Sequence, residues 1–250
     1  MPVPNLSLVT PIHSPILNNR EKQRLNLTLH HNSNFEHFFA VPESMSLVEI
    51  KRSFPNSKYI KFDDNNFSSV RSYQQLLMTK HFYSQFLGYD YILITQLDSF
   101  LVKNANQLLD LNFSYLGAAW NPSFFITEFK NTIFINRNLG GLGLKTEIQS
   151  GNGGLSLRKP SIIYEVIDYF QPSALYKNLV FGRRIFNEDI LTVYFLAKYG
   201  VKPIARYTAN LFFIESTPQD NFDLEQVFGF HALQKYNSDL EIKLLENYKF

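Results

Sequence analysis

The sequence predicts an α/β fold with a mostly parallel central sheet flanked by helices. Three observations carry that expectation. Strand-like and helix-like segments alternate as βαβαβαβ over the first 100 residues. The run Tyr91-Ile92-Leu93-Ile94 is apolar without a break, which suits a strand covered on both faces. That run stops at Gln96-Leu97-Asp98, and in open α/β sheets ligands collect just beyond the carboxyl ends of the strands. The stretch Tyr89 to Lys103, YDYILITQLDSFLVK, is therefore the one around which the rest is organised.

Taken in order, Leu6 to Ile12 is a first strand that ends at Thr10-Pro11. Asn18 to Asn32 is a helix, with Asn18 or Asn19 as cap and Leu25, Leu27 and Leu29 on or near its apolar side. His37 to Val41 is a second strand, and Ser44 or Ser46 is positioned to cap a short helix through Ile50 and Phe54. Tyr59 to Phe62 is a third strand, closed by the polar turn Asp63-Asp64. Ser69 to Leu87 has the periodicity of one amphipathic helix, with Tyr73, Leu76, Leu77, Tyr83 and Phe86 spaced around it and Gly88 as its stop. Right-handed crossovers then make this half a nucleotide-binding, Rossmann-like unit.

The second half is less regular. Phe113 to Trp120, FSYLGAAW, is a strand running into a turn. Asn121 to Gln149, with Gly140, Gly141 and Gly143, is expected to be a long loop with some local structure. Ser150 to Lys159 leads into a helix opened by Pro160 and running to about Phe170. Asn187-Glu188-Asp189 opens a helix that ends at Gly200, with Asn187 as its cap. Val201 to Arg206 and Leu211 to Glu215 are further strand candidates, and His231 follows the aromatic-glycine turn Phe228-Gly229-Phe230. No repeat or linker divides the chain. It is expected to be one domain, with residues 1–103 as the nucleotide-binding half and 104–250 as the donor-sugar and acceptor half.

Composition narrows the function classes. A chain of 250 residues with 45% hydrophobic residues can bury a full core. Its 24 Phe and 14 Tyr fill cores and also line sugar-binding clefts. A net charge of +2 points to no nucleic-acid partner. The absence of cysteine excludes disulfides and thiolate metal sites and suits a reducing compartment. No secretory leader and no apolar run long enough to span a membrane stand in the sequence. The expected location is cytoplasmic, with peripheral association at a membrane left open.

Four motifs carry chemistry. Asp98 stands at a strand end, where a carboxylate holds a cation or a sugar, although an Asp there also caps turns. Gly151-Asn152-Gly153-Gly154 lets a backbone approach a ligand closely, and its plain alternative is a tight turn before a strand. The glycines would leave room for a sugar ring. Arg158 is within a short chain distance of them and has the chemistry to meet a phosphate, or to form an ion pair. Glu188-Asp189 either meets a helix dipole or supplies a general base. His231 is a candidate metal or phosphate ligand, against the commoner structural role.

Together, YDYILITQLDSFLVK, YLGAAW, GNGGLSLRK, NEDILTVYF and FGFHAL occur in the order seen in the DUF5672 family, whose members resemble GT-A-fold glycosyltransferases. The resemblance covers roughly Ser69 to Leu233. It implies transfer of a sugar from a nucleotide-sugar donor to a hydroxyl of a glycan or lipid-linked acceptor. By it, Thr10, Pro11, Gln96, Asp98, Asn152, Gly153, Gly154 and Arg158 form the donor site. Asp189, or Glu188, is the catalytic carboxylate, and Asp98 with His231 holds a divalent cation, Mn²⁺ or Mg²⁺. Gln96 replaces the first acid of the Asp-x-Asp motif, so a metal-free course stays open, as does the choice between inversion and retention. The competing expectations are a non-catalytic carbohydrate-binding protein on the same fold and a nucleotidyltransferase. Against the latter, TPIHSPILNNR lacks a glycine-rich basic phosphate loop.

Overall fold

The structure, a computed structural model, describes residues 5–136, 145–184, 186–215 and 225–246. The first half runs β1 (Leu6–Pro11), α1 (Asn19–His31), β2 (Glu36–Pro42), α2 (Val48–Ser53), β3 (Lys58–Phe62), a short 3-10 turn, α3 (Val70–Leu76), α4 (Lys80–Ser84) and β4 (Tyr91–Thr95). The second runs β5 (Ser99–Leu101), α5 (Asn106–Leu109), β6 (Tyr115–Gly117), β7 (Ala119–Phe129), β8 (Thr132–Asn136), β9 (Lys145–Ser150) and β10 (Leu155–Arg158). It continues through α6 (Pro160–Phe170), α7 (Ala174–Phe181), α8 (Glu188–Lys198), α9 (Arg206–Asn210), β11 (Phe213–Ile214), β12 (Gly229–His231), α10 (Leu233–Tyr236) and α11 (Ser238–Glu246).

The central sheet has the order β3-β2-β1-β4-β10-β6. β3, β2, β1 and β4 are parallel neighbours, whereas β10 runs antiparallel to both β4 and β6. One reversed strand makes the sheet mixed, and the other five point the same way. The chain steps outward from β1 to β3 and then returns to place β4 on the other side of β1. That reversal opens a crevice between the carboxyl ends of β1 and β4, where crossovers leave the sheet on opposite faces. All five residues of β4 are buried, as an unbroken apolar run between two covered faces requires.

Local chemistry explains most boundaries. Asn18 and Glu21 form a reciprocal capping box on α1: Asn18 Oδ1 accepts from the Glu21 N–H at 2.9 Å, and the Glu21 carboxylate accepts from the Asn18 N–H at 2.8 Å. Pro160 opens α6 at its first turn, where its missing N–H costs nothing.

Several expectations are corrected. Ser69 to Leu87 is not one helix but two, α3 and α4. Thr79 breaks it: its hydroxyl donates to the Leu76 carbonyl at 2.7 Å and accepts from the Phe82 N–H at 3.3 Å, which starts a new helix. Asn121 to Gln149 is largely an antiparallel sheet, β8-β7-β9, and not a long loop. Alternation buries Phe124, Ile126, Ile133 and Ile148 on one face, and Lys130, with φ 53°, turns the β7–β8 hairpin. Gly140, Gly141 and Gly143 lie outside the described residues. Neither Ser44 nor Ser46 caps α2; the Ser44 N–H donates to Asp64 instead. Asn187 precedes α8 without a side-chain cap bond. Val201 to Arg206 forms no strand, and Leu211 to Glu215 contributes only the two residues of β11. Among the described residues no helix is long and apolar enough to cross a membrane.

Candidate active site

A cleft of about 540 Å³ opens at the carboxyl ends of β1 and β4, lined by Pro11, His13, Arg24, Tyr73, Gln96 and Asp98 among others. Its volume falls in the usual range of about 300–1,000 Å³ for small-ligand sites. A cavity of the same volume lies beside Phe35 and Ser57 near the start of β2. The histidine there, His37, has both ring nitrogens engaged, by Ser57 at 2.7 Å and Thr10 at 2.9 Å, and its burial lowers its pKa to about 3. It stays neutral and has no direction left for a ligand.

The Gln96–Asp98 turn is held from both sides. Gln96 N–H donates to the Gly154 carbonyl at 2.9 Å, and Ser99 donates to the Gln96 carbonyl through its N–H and its hydroxyl. The β5–β12 pairing sets His231 opposite Ser99, one residue from Asp98. His231 Nε2 is 3.3 Å from Asp98 Oδ1, and its Nδ1 is 3.7 Å from the Glu215 carboxylate. Lys235 Nζ lies 3.7 Å from the other Asp98 oxygen. Burial opposes a charge on His231, but the Asp98 and Glu215 carboxylates outweigh it and raise its pKa to about 9. Burial likewise pushes Asp98 up, and the hydrogen bond and charge of His231 with the charge of Lys235 overturn that, so Asp98 ionises below its ordinary range.

Next to this group stands the Gly153-Gly154 turn. A Cβ on Gly154 would sit 2.1 Å from His231 Nε2, so the imidazole packs directly on this glycine. A Cβ on Gly153 would sit 2.5 Å from Glu188 Oε1 and 3.2 Å from Asp189 Cβ. The space the glycines leave is filled by the protein's own side chains, which corrects the expectation of room for a sugar ring. Asn152 accepts from the Gly154 N–H at 2.9 Å and is buried, so it shapes the turn. Asp189 accepts from the N–H groups of Gly153 at 3.2 Å and Ile190 at 2.7 Å. Burial, then the neighbouring Glu188 charge, push its pKa up to about 7. Asp98, His231, Gly154, Gly153 and Asp189 thus form a continuous series of contacts at the carboxyl end of β4.

Arg158 and Glu188 are sealed in the core against Gly153. The Arg158 side chain is 0% exposed and that of Glu188 is 6% exposed, with 2.9 Å between Nη2 and Oε1. Arg158 also donates to Tyr83 at 2.8 Å and Ser156 at 2.9 Å and lies over the Tyr115 ring, while Thr192 donates to Glu188 at 3.3 Å. The expected donor role of Arg158 and catalytic role of Glu188 are therefore corrected: each spends its charge on the other inside the core. Thr10 is corrected too, because its buried hydroxyl bonds to Thr95 and His37 beneath the cleft. Pro11, Gln96 and Asp98 do line the cleft. Glu215, Lys235, Arg24 and Tyr73 were not singled out in the sequence, where each is a lone residue without a motif.

Among the described residues no three His, Asp or Glu side chains converge as a ready cation site. Asp98 and His231 nevertheless suit two adjacent positions. Ligands about 2.1 Å from a six-coordinate ion stand about 3 Å apart, near the observed 3.3 Å. Glu215 stands 3.7 Å from the far ring nitrogen, beyond hydrogen-bond distance, on the side where a metal-bound histidine has its outer partner. The remaining positions would fall to ligand oxygens and water.

No curated protein matches the sequence. Among solved structures, the chain is similar to WbbM, a bifunctional glycosyltransferase in its apo form, with a TM-score of 0.53 and 10% identity over 98% of this chain and 50% of that one. The chain thus spans half the length of that neighbour, and the likeness is one of fold. A 4-diphosphocytidyl-2C-methyl-D-erythritol synthase matches at a TM-score of 0.45 and 12% identity, over 97% of this chain and 98% of the other. The pattern of the family described as "Protein of unknown function (DUF5672)" matches residues 56–231, which include Asp98, Gly153, Gly154, Asp189 and His231. On that match over most of its length, the chain belongs to the DUF5672 family.

Proposed function

We propose that this protein is a glycosyltransferase that moves a sugar from a nucleotide-sugar donor to a hydroxyl of a glycan or lipid-linked acceptor. The observation that carries the reading is the Asp98–His231–Glu215 array at the mouth of the β1/β4 cleft, with Asp189 across two glycines from it. The nucleotide lies in the cleft against Pro11 and Gln96. Its diphosphate meets Lys235 and the Asp98–His231 pair. A divalent cation held by Asp98 and His231 supplies Lewis-acid neutralisation of the phosphate oxygens when bound. Asp189 takes the proton of the acceptor hydroxyl as that oxygen bonds to the anomeric carbon and the bond to the diphosphate breaks. A base with a pKa near 7 is well matched to this step at neutral pH. The cysteine-free sequence supports work in a reducing, cytoplasmic compartment, at a membrane surface where a lipid-linked acceptor is used.

The test is thermal unfolding with UDP, GDP, CMP and TDP and their sugars, with and without Mn²⁺. A ligand at 100 times its dissociation constant stabilises the fold by about 2.7 kcal/mol. A shift with one nucleotide that needs Mn²⁺ and disappears in Asp98→Ala supports the site as drawn. A shift indifferent to Mn²⁺ keeps the donor and removes the cation. No shift with any of them rejects the reading and favours a non-catalytic glycan-binding role.

A further inference from the structure

We infer that Arg24 is a positioning residue that fastens the Gln96–Asp98 turn to the C-terminal helices, so that α10 and α11 hold the cleft-facing carboxylate in place. The inference rests on the donor-site reading above. Arg24 belongs to α1, yet its guanidinium joins three other segments. It donates to the Leu97 carbonyl at 3.0 Å, to the Gln234 side-chain oxygen on α10 at 2.8 Å and to Glu241 on α11 at 2.8 Å. Glu241 is fully buried, and Arg20 stands 3.9 Å from the same oxygen, so two cations secure one carboxylate.

The C-terminal segment grips the turn at further points. The Ala232 N–H donates to the Asp98 carbonyl at 2.8 Å, and His231 and Lys235 approach the Asp98 carboxylate from either side. Ala232 itself has φ 53°, a left-handed backbone that an alanine holds only where its surroundings impose it. Arg24, Gln234, Lys235 and Glu241 all lie outside residues 56–231, the span that matches the family. The matched span therefore contains Asp98 and His231, while flanking segments from both ends of the chain hold them in register. An ordinary ion pair between α1 and α11 would not need to reach Leu97. Two guanidinium nitrogens share the three acceptors, Nη1 on Leu97 and Nη2 on Gln234 and Glu241, a span wider than a single ammonium nitrogen offers.

The test is hydrogen exchange on the full chain and on Arg24→Lys and Glu241→Gln, together with nucleotide affinity. Lysine keeps a charge beside Glu241 but cannot reach all three acceptors. The Ser99 and Ala232 amides, which bond to Gln96 and Asp98, are expected to exchange about tenfold faster in both variants, with β2 and β3 unchanged. Affinity for whichever of UDP, GDP, CMP or TDP the unaltered chain binds with Mn²⁺ should fall about tenfold, as it does when outer partners of a site are lost. Unchanged exchange at both amides overturns the inference. Equal acceleration across β1 to β4 also overturns it, since Arg24 would then only stabilise the fold. If the unaltered chain binds no nucleotide, the donor reading fails, and the two amides still decide whether Arg24 fastens the turn.

Discussion

Two clusters, each pairing cations with carboxylates, flank the Gly153-Gly154 turn, and they differ in exposure. Arg158 and Glu188 are sealed, with side chains 0% and 6% exposed, and Tyr83, Ser156 and Thr192 take up their remaining hydrogen bonds. Asp98 and Lys235 are open, with side chains 37% and 67% exposed, while His231 and Glu215 beside them are mostly covered. Both clusters place a cation beside a carboxylate. The sealed one has no direction left for a ligand, so its charge serves the fold. The open one keeps the Asp98 carboxylate on the cleft, with the exposed Lys235 ammonium beside it. Asp189 lies between the two: it is next in sequence to the sealed Glu188 but contacts the turn against which His231 packs.

The largest effect expected concerns that intermediate residue. Asp189→Ala should lower sugar transfer by about a thousandfold, the middle of the range for losing a general base, and leave nucleotide-induced stabilisation intact. A transfer assay beside a thermal shift checks it, and an undiminished rate would remove Asp189 from the chemistry. Next, Arg158→Met should cost about 3–5 kcal/mol in denaturant unfolding, because it strands a buried carboxylate. Asp98→Asn should cost far less and abolish the Mn²⁺-dependent shift. Equal costs would break the comparison between sealed and open.

Smaller effects follow from pH. The native pKa of His231 rises from the ordinary 6.5 to about 9, so the folded state holds a proton that the unfolded chain releases. Stability from this group is full below about pH 6.5 and is lost as pH rises through about 9. The slope should disappear in His231→Gln. Asp189 shifts in the same sense, from 3.8 to about 7. It favours the fold below about pH 3.8 and ceases to do so through about pH 7, where transfer should increase as the base ionises. Activity rising while stability falls across neutral pH is the expected signature, and a pH–rate profile with unfolding curves at each pH measures it. The smallest effect is a control away from both clusters. Lys58→Ala removes an exposed pair with Glu36 and should change stability by less than about 1 kcal/mol.

The first half of the fold was legible because its cues are local. Apolar runs and capping residues located β1, α1, β2, β3 and β4 within a residue or two. The errors were local as well. Thr79, bonding to the backbone of Leu76 and Phe82, splits the Ser69–Leu87 helix, and the period-two pattern of β7 and β8 stands beside a glycine-bearing stretch that reads as loop. In the candidate site, Asp98, Gly153, Gly154, Asp189 and His231 stood out by residue type and order. Their mutual contacts did not, because these run between distant parts of the chain.

By itself the sequence determined the α/β class, the buried central strand and the acid at its end, since periodicity and strand-end polarity act over a few residues. It also carried the pattern that assigns the chain to its family. Only the tertiary structure decided which acid is sealed and which is open. Arg158 and Glu188 are as plausible a ligand pair in sequence as Asp98 and His231, and the exposure of Asp98 and the saturated hydrogen bonding of Arg158 and Glu188 separate them. Only the fold could bring Arg24 to Glu241, 217 residues away, and Glu215 to His231. Such charges find partners through packing of elements that share no local signal, and the low dielectric of a packed interior then makes those pairings decisive.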